Sequence, residues 1–162
     1  MRVLMSDHIS VYTDGSCLKN PGGNGGYAFL LVDESRDFST LAKSFFEPNT
    51  TNNRMELKAV IAAVRFLNST SSGREFIIYS DSEYSVKGLN QWSKNWIKKN
   101  FKDVKNDDLW RELLSLNFNN IELKWVKAHD VNKYNNFVDK IARQSATLED
   151  NFNFYSENLR DI

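Results

Sequence analysis

At Arg54 the apolar pattern of this chain changes period, and the change limits what the chain can fold into. Upstream, residues 8–13 alternate, with Ile9, Val11 and Thr13 on one face and Ser10 and Tyr12 on the other, the period of a β-strand. The run Asn20-Pro21-Gly22-Gly23-Asn24-Gly25-Gly26 reads as a loop, and further strands are expected at 27–32 and 41–46. Short connections make these three strands an antiparallel meander. Downstream, Leu57, Val60, Ile61, Val64 and Leu67 recur at helical spacing until the polar stretch 69–73. Phe76-Ile77-Ile78-Tyr79 is a compact apolar strand suited to a buried central position. A helix is expected after Asp81-Ser82, broken near 100–106 and resumed at Leu109, Leu113 and Leu116. A last strand is expected at 121–126, and a last helix at 136–146 with Val138, Ile141, Ala142 and Ser145 facing inward. This order predicts an α/β domain with a five-stranded mixed sheet flanked by α-helices.

The 162 residues suffice for one such domain and its core. The boundary expected is a catalytic domain at 1–146 followed by an acidic tail at 147–162, to which the sequence attaches no role. Lysine plus arginine equals aspartate plus glutamate at 21 each, so the total charge identifies no class of partner. Its distribution says more. Lys87, Lys94, Lys98, Lys99, Lys102 and Lys105 form a basic segment opposed only by Asp103, whereas the tail carries Glu149, Asp150, Glu157 and Asp161 against Arg160. No apolar run approaches the roughly 20 residues of a membrane-spanning helix. The first eight residues hold too short an apolar stretch for a signal peptide. The single cysteine, Cys17, forms no internal disulfide, which points to a reducing cytoplasm.

Four acidic residues stand at element junctions. Asp14 ends the first strand and Asp81 the central one, while Glu56 and Asp139 are expected in the first turns of two helices. Such positions can converge on one edge of an open α/β sheet. Clustered carboxylates repel one another and call for a compensating cation. An all-oxygen donor set suits magnesium or manganese rather than zinc. Two such ions about 4 Å apart could activate water and stabilise the leaving oxygen in phosphodiester cleavage. A structural alternative exists at each of the four: Asp14-Gly15 can be a turn and Asp81-Ser82 a helix start. Asn53-Arg54-Met55-Glu56 has the spacing of a capping box, with asparagine at N-cap and glutamate at N3, and Asn136-Phe137-Val138-Asp139 repeats it with aspartate.

Several segments in order resemble type 1 ribonuclease H. They are Tyr12-Thr13-Asp14-Gly15-Ser16-Cys17, Asn20-Pro21-Gly22 and Thr50-Thr51-Asn52-Asn53-Arg54-Met55-Glu56-Leu57. Tyr79-Ser80-Asp81-Ser82, Asp108-Leu109-Trp110, Trp125-Val126-Lys127-Ala128-His129 and the stretch 135–139 continue the pattern. The likeness spans nearly the whole chain from Ile9 to Ala146. It implies the ribonuclease H-like fold and endonucleolytic hydrolysis of the RNA strand of RNA–DNA hybrids, leaving 5′-phosphate and 3′-hydroxyl ends. It also implies that Asp14, Glu56, Asp81 and Asp139 are catalytic and hold two magnesium ions, for which manganese can substitute. His129 falls where the family carries a loop histidine that assists proton movement and product departure.

The same resemblance places Asn20, Asn52, Asn53 and Glu83 at the hybrid's minor groove, where the RNA 2′-hydroxyl distinguishes RNA from DNA. Thr51 and Asn106 match positions that hold a phosphate of the DNA strand. Trp92, Trp96, Lys98 and Lys99 belong to a segment like the family's basic protrusion, with aromatic rings among cations as a nucleic-acid groove requires. The expected protein is a cytoplasmic monomer. Two rival readings are a module that holds hybrids without cutting and a nuclease of the same fold that cuts DNA. Intact candidates at all four acidic positions oppose the first, and Asn20, Asn52 and Asn53 oppose the second.

Overall fold

The computed structural model describes residues 8–33, 39–70, 73–127 and 132–156. Its strands are β1 (Ile9–Cys17), β2 (Gly25–Asp33), β3 (Ser39–Glu47), β4 (Phe76–Ser80), β5 (Ile121–Trp125) and β6 (Phe152–Ser156). Its helices are α1 (Asn52–Asn68), α2 (Glu83–Lys87), α3 (Ser93–Lys98), α4 (Asp107–Leu114) and α5 (Lys133–Leu148), with a π-helical turn at Gly88–Trp92 between α2 and α3. The sheet runs β5-β4-β1-β2-β3-β6. β1, β2, β3 and β6 pair antiparallel, and β4 lies parallel to both β1 and β5.

The alternation along the strands divides the core between two faces. Val11, Phe29, Ile78 and Leu123 pack with Leu57, Val60 and Val64 of α1 and with Trp110 and Leu113 of α4. Tyr12, Ala28, Leu30, Val32 and Ala42 pack on the other face with Val138, Ile141 and Ala142 of α5. Both helices approach the sheet at glycines. A β-carbon on Gly15 would lie 2.3 Å from the Met55 carbonyl carbon, and one on Gly26 would lie 1.9 Å from the Ala142 carbonyl oxygen. The absence of side chains there is what lets α1 and α5 reach the backbone of β1 and β2.

The five strands expected from the sequence are present, and the sheet has a sixth. It comes from the tail: β6 pairs with β3, Leu41 opposite Tyr155 and Lys43 opposite Asn153. Phe154 packs edge-on against Phe137 of α5, with ring centroids 5.7 Å apart. The signal was the short alternation Asn151-Phe152-Asn153-Phe154, which the acidic composition of the tail obscured.

Two helices also begin earlier than the apolar period indicates. Thr51, not Asn53, caps α1, its side-chain oxygen accepting from the Arg54 N–H at 3.2 Å. Asn132, not Asn136, caps α5 by accepting from the N–H groups of Tyr134 and Asn135. Glu56 and Asp139 therefore lie in second turns, out of reach of the first free N–H groups. The capping-box explanation of these two acids fails on this geometry.

If β6 belongs to the fold, Phe154→Ala will lower stability by roughly 1–3 kcal/mol, less than for a fully buried phenylalanine. A denaturant midpoint equal to wild type would make the segment a passenger.

Candidate active site

The register of β1 and β4 brings two acids together. Thr13 and Ser80 are the last partners of the parallel pair, so Asp14 and Asp81, each the next residue, stand side by side. Asp14 does not end its strand as expected, because β1 runs on to Cys17 through its pairing with β2. The crossing of α1 over Gly15 adds Glu56, which is 8% exposed and accepts the Gly15 N–H at Oε1. One carboxylate oxygen from each of Asp14, Glu56 and Asp81 lies within 4.8 Å of the others. Glu56 Oε2 is buried with no hydrogen-bond partner among the described residues. Asp139, presented by α5, lines the same cleft but stands outside this tight trio, paired through Oδ1 with Arg143 Nε at 3.1 Å.

Burial of this much negative charge shows in its proton affinity. Desolvation first, with further repulsion from Asp81 and Asp139, pushes the Asp14 carboxyl up to about 7, against a hydrogen bond involving Glu56 that lowers it. Burial and then Asp14 hold Glu56 well above the ordinary glutamate range. An oxygen-only donor set, an unpartnered buried oxygen and repelling neighbours together fit a hard divalent cation, which removes the repulsion and fills the vacant acceptor site.

The cleft is open, about 580 Å³, and Asn52, Asn53 and Glu83 line it beside the four acids. Asn20 stands next to them, its Oδ1 accepting the Asn52 N–H at 3.2 Å. Thr51 is occupied as the α1 cap. Asn106 precedes α4 in a left-handed conformation and is linked to the start of α1, since Arg54 donates to its Oδ1 at 3.3 Å while pairing with both oxygens of Asp108.

The aromatic pair of the basic segment is divided. Trp92 is 40% exposed, whereas Trp96 is partly buried against Trp110, ring centroids 4.8 Å apart. Trp96 thus spends one face on packing. Lys98 and Lys99 are exposed where α3 ends. His129 lies outside the described residues. Arg143 and Tyr84 line the cleft and were missed from the sequence. Arg143 was findable, four residues after Asp139 on a helix and so on the same face.

The fold agrees with the comparisons. The sequence model of the RNase H family matches residues 6–147. The chain belongs to the ribonuclease H family. It is 42% identical to ribonuclease HI of Campylobacter jejuni over 142 residues, 86% of this chain and 91% of the relative. It is 43% identical to ribonuclease H of Actinobacillus succinogenes over 155 residues, 90% and 96% of the two chains. Among solved structures, LC9-RNase H1, a type 1 RNase H with the type 2 active-site motif, superposes with a TM-score of 0.78 at 26% identity, covering 97% of this chain and 78% of that one. A foamy viral protease–reverse transcriptase solved with an RNA/DNA hybrid shares the fold, with a TM-score of 0.71 at 20% identity over 91% of this chain and 21% of that one. As a ribonuclease H, the protein is a hydrolase that cuts RNA within RNA–DNA hybrids, in a family that depends on metal ions. No described helix is long and apolar enough to cross a membrane.

The raised carboxyls make a prediction about the metal-free protein. A proton bound more tightly by the folded than by the unfolded state stabilises the fold below the ordinary carboxylate range and is lost as pH rises toward about 7 for Asp14. Asp108, held below that range by its hydrogen bond to Arg54, remains ionised throughout this window. Without divalent ions the denaturant midpoint will fall between about pH 5 and about pH 8. Glu56→Gln, which keeps an oxygen acceptor for the Gly15 N–H, will flatten the fall. A level wild-type midpoint would mean that the cluster carries no such repulsion.

Proposed function

We propose that this ribonuclease H performs its hydrolysis with two magnesium ions held by Asp14, Glu56, Asp81 and Asp139, and that the products carry 5′-phosphate and 3′-hydroxyl ends. The observation that carries the reading is the buried Glu56 carboxylate, oriented by the Gly15 N–H and left with an unpartnered oxygen among repelling acids. Bound ions of this kind supply an activated water and stabilise the leaving oxygen. The chain's own contribution is to fix the carboxylates. β1 holds Asp14 where its pairing with β4 stops, the end of β4 leads into Asp81, α1 holds Glu56, and α5 offers the more exposed Asp139. Manganese, with the same preference for oxygen ligands, substitutes for magnesium. His129 moves a proton and assists product departure.

Substrate recognition divides between groove and phosphate. Asn20, Asn52, Asn53 and Glu83 touch the hybrid's minor groove, partly through RNA 2′-hydroxyls, while Thr51 and Asn106 hold a phosphate of the DNA strand. Trp92, Lys98 and Lys99 extend the contact, and Trp96 supports Trp92 from behind. Residues 1–146 carry this machinery, in a monomer that works in the cytoplasm.

A hybrid, an RNA duplex and a DNA duplex incubated separately with enzyme and magnesium test the reading. Only the hybrid will be cut, chelation will stop cutting, and Asp14→Asn will abolish it in a folded protein. Substantial cleavage by Asp14→Asn in excess magnesium would remove Asp14 from the essential ligands. His129→Ala will slow turnover by about 10²–10⁴-fold, the usual worth of general acid–base help. A turnover number equal to wild type from pH 6 to 9 would make His129 structural.

Neutralising Lys98 and Lys99 together will weaken hybrid binding and reduce its log–log salt slope by roughly 0.7–0.9 per lost phosphate contact. Unchanged affinity and slope would make the lysines an ordinary solvated face.

A further inference from the structure

The loop between β1 and β2 carries Asn20 and is held on three sides. Toward the active site, Asn20 Oδ1 accepts the Asn52 N–H at 3.2 Å, and Asn52 Oδ1 accepts the Cys17 N–H at 2.8 Å. Beneath, the Gly22 N–H donates to the Thr50 carbonyl at 2.7 Å and the Thr50 N–H to the Gly23 carbonyl at 3.1 Å. At the far end Asn24 closes the loop, its carbonyl accepting the Leu18 N–H at 2.9 Å. The Asn24 side-chain amide then donates to Glu149 Oε1 at 2.7 Å, across 125 residues of sequence.

Glu149 is one of seven non-glycine residues with a positive φ among the described residues. It ends α5 in a left-handed conformation, φ 54° and ψ 43°, with its N–H on the Ser145 carbonyl. Glycine takes this helix-ending position without steric cost, and a residue with a β-carbon does not. A strained residue that also makes a specific long-range contact invites a functional explanation. Its surroundings hold it in place. α5 precedes it, and two residues later Asn151 Oδ1 accepts the Phe46 N–H at 2.8 Å, just before β6 joins the sheet.

We infer that Glu149 is a positioning residue for RNA recognition. By holding Asn24, it sets the glycine-rich loop where Asn20 and Asn52 meet the RNA strand, so the C-terminal segment contributes to substrate binding without touching substrate. This rests on the reading of Asn20 and Asn52 as RNA contacts. A helix stop alone would be served better by glycine, and that difference provides the test.

Glu149→Gly relieves the backbone strain and removes the acceptor. Its melting temperature will equal or exceed wild type, while KM for a hybrid in magnesium will rise on the order of threefold to tenfold with kcat unchanged, the worth of one ordinary hydrogen bond. Asn24→Ala will raise KM to the same extent, and the double variant will rise no further, because both remove one interaction. Glu149→Gln, which retains an oxygen acceptor for the Asn24 amide, will restore KM. Asn20→Ala is measured alongside. If it raises KM while Glu149→Gly or Asn24→Ala does not, the positioning role is overturned and the RNA reading stands. If Asn20→Ala leaves KM unchanged, the RNA reading falls and this inference with it.

Discussion

The contact between the Gly15 N–H and the buried Glu56 carboxylate organises this molecule. It requires α1 to lie directly on the backbone of β1, which a β-carbon at position 15 would prevent, since it would sit 2.4 Å from the Glu56 nitrogen. The same close approach seats Leu57, Val60, Ile61 and Val64 on the sheet, so core packing and site geometry arise from one crossing. Burial of Leu57 and its neighbours offsets the cost of bringing carboxylates together. That cost is visible in the raised proton affinities of Asp14 and Glu56. A cation then finds donors already in place and gains by relieving repulsion that the fold has imposed.

Around that crossing the site grades from rigid to open. Asp14 lies within β1, one residue past its parallel pairing with β4, and Asp81 follows β4, so hydrogen-bonded register leaves both little freedom. Asp139 stands on α5, its side chain 42% exposed and paired with Arg143, outside the tight trio. The helix beneath it is not free: Gly26 lets α5 sit against β2, and Phe154 of β6 packs on Phe137. The C-terminal strand therefore supports the helix that carries one acid, while Glu149 reaches the β1–β2 loop that carries Asn20.

The basic segment is similarly divided between support and contact. Tyr84 accepts hydrogen bonds from Trp110 Nε1 at 2.9 Å and Asn106 Nδ2 at 3.1 Å, and Arg54 ties Asn106 and Asp108 to the start of α1. Trp110 is fully buried and Trp96 leans on it, which leaves Trp92 and the terminal lysines of α3 as the outward-facing part. Alternating lysines and aromatic residues in sequence do not reveal this division, because it depends on which ring the tertiary core claims.

The sequence alone determined the order of the first five strands and their helices, the mixed sheet and the choice of Asp14, Glu56, Asp81 and Asp139 as the acids that line the cleft. Each of these rests on short-range information: a period of two or of 3.6, an ordered set of short motifs, a glycine-rich turn. Only the tertiary structure decided where α1 and α5 begin, because Thr51 and Asn132 each compete with a plausible asparagine cap, and the choice depends on which turn can face the sheet. That offset removed Glu56 and Asp139 from capping positions and turned Glu56 toward Gly15. Likewise, the strand character of 152–156, the pairing of Arg143 with Asp139 and the reach of Glu149 to Asn24 depend on what lies opposite. A local pattern states which residues can share a face; only the packed chain decides what that face meets.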